Sequence, residues 1–121
     1  MDVIIDTNAL VYAAKLKVDV YELLKMHNYK PVIPSCVFLE LKSLAGSAKK
    51  GADRAAAKLA SQIVEKKVRV VDIGTGKADD LILKYAKKHK MKVLTNDRAF
   101  KTRLKAEGID AVSIGKSKQM R

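Results

Sequence analysis

Four carboxylates stand where carboxylates are costly. Asp6 follows the apolar run Val3-Ile4-Ile5, and Asp97 follows Val93-Leu94-Thr95-Asn96. Both runs read as strands buried on two faces, so both acids fall at C-terminal strand ends, where open parallel sheets bind their ligands. Either acid alone has an ordinary use as a helix cap. Glu40 and Asp79 extend the pattern. On a helical wheel, Val37, Leu41 and Leu44 form an apolar stripe with Glu40 on its flank. Ile82, Leu83 and Ala86 form another, with Asp79 near its middle and Asp80 toward its edge. Singly, Glu40 could snorkel to water and Asp79 could occupy a first turn favoured by the helix dipole. As a set, carboxylates turned toward a core imply a neutralising cation, because an unpaired one there costs several kcal/mol. The donors are all oxygens, which suits Mg²⁺ or Mn²⁺ more than zinc. Acids sharing one pocket stay ionised together only when cations offset their repulsion.

The bulk charge has the opposite sign. Twenty-five Lys and Arg against 13 Asp and Glu give a net charge of +12 in 121 residues. Such an excess attracts polyanions, in a manner that weakens with salt. A lysine-rich solubilising surface is the bland alternative, and the charge alone favours nucleic acid binding over it. A basic protein with an acidic metal pocket points to phosphodiester chemistry, the metals activating a water and stabilising the leaving oxygen. Cys36 is the only cysteine, which excludes an internal disulfide and a cysteine-built zinc site. The start MDVIIDTNAL lacks a basic leader, and no stretch approaches the 18 or so apolar residues of a membrane span, so a cytoplasmic location without membrane contact is expected.

Those acids need elements to hold them. Five short segments rich in Val and Ile read as strands: Val3–Ile5, Pro31–Ile33, Val68–Asp72, Lys92–Leu94 and Ala111–Ile114. Helical patterns lie between them. The first spans about Asn8 to Met26 with a break near Lys17 to Asp19, and the second starts near Ser35 as N-cap. A third covers Ala52–Lys66, a fourth follows Gly74-Thr75-Gly76 and reaches His89, and a fifth covers Arg98–Glu107 before Gly108. The alternation implies a parallel sheet covered on both faces, in one domain over residues 1–114. Gly46–Gly51 reads as an exposed basic loop, and residues 115–121 as a basic, loosely ordered tail. His27 and His89 sit among lysines and read as solvated, Cys36 as a partly buried filler, and the aromatics are too few for a stacking platform.

The motifs Ile4-Ile5-Asp6-Thr7-Asn8, Glu40 in a helix, Asp79-Asp80-Leu81-Ile82 and Thr95-Asn96-Asp97 resemble, in order and along essentially the whole chain, those of the PIN domain nucleases. The resemblance implies a three-layer α/β/α fold with a five-stranded parallel sheet in the order 3-2-1-4-5. It also implies Mg²⁺- or Mn²⁺-dependent cleavage of RNA. Asp6, Glu40 and Asp97 match the first, second and fourth family acids. The third is Asp79 or Asp80, with Asp79 favoured for its place three residues before Ile82. Thr7, Asn8, Thr95 and Asn96 match supporting positions. Lys49, Lys50, Arg98, Lys101 and Arg103 are expected to hold the RNA backbone. Two roles are implied: a toxin restrained by an antitoxin protein, or a processing nuclease with a ribosome-assembly partner, toward which Ala78-Asp79-Asp80 leans; a homodimer fits either. Two other readings stand beside it. One is a PIN-like module that binds RNA without cutting it. The other is an aspartate phosphotransfer domain, against which the first strand lacks the required acid pair although Asp72 ends the third.

Overall fold

Val and Ile in short runs, separated by longer amphipathic stretches, give eleven elements in a computed structural model that describes residues 1–120, the side chain of Lys67 excepted. In chain order these are β1 (Asp2–Ile5), α1 (Thr7–Lys15), α2 (Val20–Met26), β2 (Lys30–Pro34), α3 (Ser35–Ser47) and α4 (Gly51–Lys67). They continue with β3 (Val70–Val71), α5 (Ala78–His89), β4 (Lys92–Leu94), α6 (Arg98–Ala106) and β5 (Ala111–Val112). The strands form one sheet in the order β3-β2-β1-β4-β5, and every pair is parallel. This is the five-stranded PIN-like arrangement expected from the sequence.

The central strand explains the composition of its neighbours. Val3, Ile4 and Ile5 of β1 are wholly buried, as are Val93 and Leu94 of β4 and Ile33 of β2, because helices cover both faces. Helices α1, α3 and α4 pack on one another. Right-handed crossovers put them on one face with α2, and put α5 and α6 on the other. Ile82 and Ala86 of α5, with Phe100 and Leu104 of α6, fill that second interface.

The first helical stretch breaks where the sequence implied, near Lys17 to Asp19, while several other boundaries differ from those read there. Lys17 takes a positive φ of 57°, and Asp19 caps α2 by accepting from the N–H groups of Tyr21 and Glu22 at 3.1 Å each. Ser35 is not an N-cap: Pro34 holds that position with no side-chain bond, and its fixed φ sets the helix entry. The Gly46–Gly51 loop shrinks, since α3 runs on to Ser47 before the short connection that carries Lys49 and Lys50. Strands β3 and β5 are shorter than the apolar runs around them, because an edge strand has a partner on one side only. Residues 115–120, read as a loose tail, make a turn in which Gly115 N–H donates to Gln119 O at 2.7 Å and Met120 bridges Ile114. Gly108 has a φ of 74°, a left-handed conformation that ends α6 as its position suggested. Among the described residues no helix is long and apolar enough to cross a membrane.

Candidate active site

Asp6 leaves the end of β1 and is 3% exposed. It serves as N-cap of α1, and three neutral donors hold its carboxylate: Thr7 N–H at 2.8 Å on Oδ1, with Asn8 Nδ2 at 2.8 Å and Thr95 Oγ1 at 3.0 Å on Oδ2. These bonds favour the charged form, yet burial outweighs them. The carboxyl is pushed up to about 6, first by desolvation and further by the nearby charges of Asp79 and Glu40. A cap alone has no need of that, since first-turn caps are ordinarily wet.

The donors are themselves held. Asn8 Oδ1 accepts from Asn96 N–H at 2.7 Å and lies 3.1 Å from Thr95 Oγ1, whose single proton is shared between Asn8 and Asp6. Thr95 Oγ1 also accepts from Asp97 N–H at 3.2 Å, so the first and fourth acids hang on one hydroxyl. Asn96 then ties this cluster to the far edge: its Nδ2 donates to Ile114 O and its Oδ1 accepts from Ile114 N–H, both at 2.9 Å. That clamp is invisible in the sequence, because a carboxamide pairing with a main-chain amide 18 residues away leaves no local pattern.

The remaining acids sit closer to water than the helical wheels suggested. Asp79 is exposed rather than turned into the core, because the first turn of α5 overhangs the sheet and only from Ile82 does the helix bed down. Partial desolvation still raises its carboxyl, and the Asp97 charge adds to this while Arg103 opposes it. Asp80 is engaged elsewhere, accepting from Arg103 Nη2 at 2.7 Å. Glu40 is exposed on α3, and its field reaches both Asp6 and Cys36. The Cys36 thiol is pushed up mainly by burial, as fits a partly buried filler. Asp97 caps α6, accepting from Phe100 N–H at 3.2 Å. The four acids therefore form a chain of mutual repulsion: Glu40 with Asp6, Asp6 with Asp79, and Asp79 with Asp97.

The donor set fits a hard divalent cation. It offers only oxygens, it contains a buried carboxylate without charged donors, and beside Asp6 lies Thr7 Oγ1, a buried hydroxyl that lacks a hydrogen-bond partner. Among the described residues no three acids, histidines or cysteines stand at ligand spacing.

The basic residues divide. Arg98 is exposed at the start of α6, Arg103 pairs with Asp80, and Lys101 Nζ donates to Ser113 Oγ at 2.9 Å. Lys49 and Lys50 are exposed but lie beyond the end of α3, a helix about 20 Å long that starts at the C-terminal end of β2. Lys15 meets Asp53 at 2.7 Å, fixing the start of α4 to the end of α1 that is remote from Asp6. His27 and His89 are exposed, His27 stacked on Tyr29 and His89 tilted against Tyr85.

Known folds agree with this arrangement. The chain is similar to VapBC2 from Rickettsia felis, solved bound to a promoter DNA fragment, with 20% identity, a TM-score of 0.64, and coverage of 93% of this chain and 98% of that one. A PilT N-terminus domain protein from Sulfolobus solfataricus is similar at 19% identity and a TM-score of 0.57, over 93% and 87% of the two chains. The PIN domain of human SMG5 is similar at 17% and 0.51, over 92% and 90%. Identities this low show the fold alone. No curated protein matches the chain. A family model described as a PIN-like domain, however, matches residues 3–116, which contain all four acids and both supporting pairs. The chain belongs to the PIN-like domain family.

Proposed function

We propose that the protein is a ribonuclease that hydrolyses RNA phosphodiester bonds with Mg²⁺ or Mn²⁺ held by Asp6, Glu40, Asp79 and Asp97. The observation that carries this is Asp6: a buried carboxylate, fixed by neutral donors and pushed up to about 6, in the field of Glu40 and Asp79 at the ligand-binding end of a parallel sheet. PIN domains are generally nucleases, and typically use a divalent metal. When bound, such an ion supplies Lewis acidity toward the phosphate and lowers the pKa of a water. The chain supplies the rest. Asn8 and Thr95 fix the Asp6 carboxylate, Thr95 aligns Asp97 through its main-chain N–H, and Asn96 secures both to Ile114, just past β5. Asp80 pairs with Arg103 next to Asp79, whose carboxyl feels the charge of Asp97. Arg98, Lys101, Lys49 and Lys50 attract the phosphate backbone. Cleavage of mixed RNA should appear with Mg²⁺ or Mn²⁺ and vanish in EDTA; undiminished cleavage in chelator would sink the metal-dependent mechanism and leave an RNA-binding module as the alternative.

A toxin role is favoured over RNA processing by one surface. An apolar groove of about 470 Å³ between α1, α2 and α4 is lined by Leu10, Ala13, Val18, Tyr21, Leu59 and Ile63. It suits the apolar face of a helix from a small inhibitory protein. Induced expression should arrest growth in wild type and not in Asp97→Asn. Growth that continues with active enzyme present points to RNA processing.

A further inference from the structure

Residues 77–107 hold ten Lys and Arg against four Asp and Glu, half of the surplus in a chain of net charge +12. The fold concentrates them on one face. Lys84, Lys87 and Lys88 are exposed at helical spacings of three and four on α5, and Lys77 stands at its N-cap next to Asp79. The pairs Arg103–Asp80 (2.7 Å) and Lys87–Glu107 (3.4 Å) join α5 to α6. At the far end, where β1 and β4 begin, lies a cleft of about 450 Å³ whose lining includes Lys87, Lys90, Met91, Lys92 and Asp110.

The three acids on this face away from the active site are already matched: Asp80 by Arg103, Glu107 by Lys87 and Asp110 by Lys92. Among the described residues Lys84, Lys88 and Lys90 have no such partner, and they remain as uncompensated positive charge. Among the described residues the exposed large apolar side chains are Met1, Met26, Leu39, Leu59 and Val70; none is on α5 or α6, and only Met1 borders the cleft. A face of flexible point charges, whose one large exposed apolar side chain is Met1 at the rim of the cleft, suits a phosphate backbone and lacks the broad apolar centre of a protein interface.

We infer that α5 and the cleft beneath it form a track for single-stranded RNA, so that a strand cut at Asp79 and Asp97 runs along about 18 Å of helix to Lys88 and Lys90. This rests on the ribonuclease reading for the identity of the polyanion, and makes the enzyme one that engages an extended RNA segment instead of the scissile phosphate alone.

Binding measured in EDTA separates the track from the chemistry. Fluorescence anisotropy would be recorded with a labelled RNA too short to leave the acidic end and with one several times longer. The proteins compared are wild type, Lys84→Gln/Lys88→Gln/Lys90→Gln, and a control of equal charge, Lys25→Gln/Lys58→Gln/Lys66→Gln, whose exposed side chains lie on α2 and α4. The track variant should lose about tenfold in affinity for the long RNA and lower its logarithmic salt slope by about two, with much smaller losses in the control. Equal losses in both variants would mean that net charge alone acts, and unchanged affinity would leave this face to an acidic protein; either overturns the track. A protein that binds long RNA through these lysines yet never cuts it contradicts the ribonuclease reading and leaves the track standing.

Discussion

The two ends of the same sheet handle charge in opposite ways. Where β1 and β4 end, Asp6 is buried among neutral donors and feels Glu40 and Asp79, while Asp79 feels Asp97. Where those strands begin, Lys87 and Lys92 are paired with Glu107 and Asp110 in partly or fully solvated bridges, and the remaining lysines stand in water. Exposed pairs of that kind contribute about 0–1 kcal/mol, and breaking one leaves both charges hydrated. A buried carboxylate repelled by its neighbours, as Asp6 is, is a standing cost that the fold tolerates. Residues kept at a cost to the fold are the better candidates for chemistry, and residues kept at none are the better candidates for reversible attraction of a polyanion.

The largest effect expected from breaking this contrast is on cleavage. Asp79→Asn should lower the rate at least about a hundredfold, comparable with removal of one electrostatic group in other active sites. Asp80→Asn, which removes only the partner of Arg103, should keep most of it. Rates of both variants on one labelled RNA decide between the two acids. Equal loss in both would mean that the pair acts as a unit, and the assignment of Asp79 over Asp80 would fall.

A smaller effect appears in stability against pH. An exposed aspartate titrates near 3.8, whereas Asp6 in the fold titrates at about 6. The folded state therefore holds this proton more tightly, so the stability it contributes is complete below about pH 4 and is lost as pH rises through 6. Two units correspond to about 3 kcal/mol at most. In Asp6→Asn that loss is absent. Urea unfolding in EDTA should show the variant gaining on wild type as pH goes from 4 to 7, any misfit of the amide being a constant offset. A difference that stays flat with pH would show Asp6 to be an ordinary cap.

Much of this contrast was legible in the sequence, and the illegible parts have physical reasons. Asp6 and Asp97 were visible because an acid directly after Val3-Ile4-Ile5, or just past Val93-Leu94, can only fall at a strand end. The limits of β4 were read correctly for the same reason. The edge strands β3 and β5 were overestimated, since apolar composition reports burial and says nothing of how many neighbours a strand has. The orientation of Asp79 was misjudged because a helical wheel assumes that the whole helix rests on its support, and the first turn of α5 does not. The Asn96–Ile114 clamp and the matching of Asp80 with Arg103 depend on contacts between distant segments, which no single-chain periodicity records.

The claim that the acids converge on a common cation site is tested most directly by melting curves of wild type and Asp79→Asn across a titration of Mn²⁺. Without ion, Asp79→Asn should be as stable as wild type or more so, since neutralising one of several repelling charges relieves strain. With ion, wild type should rise steadily by mass action and the variant should rise much less. Equal rises in both proteins, or marked destabilisation of the variant with cleavage intact, would mean that these carboxylates hold the fold together and that the chemistry lies elsewhere.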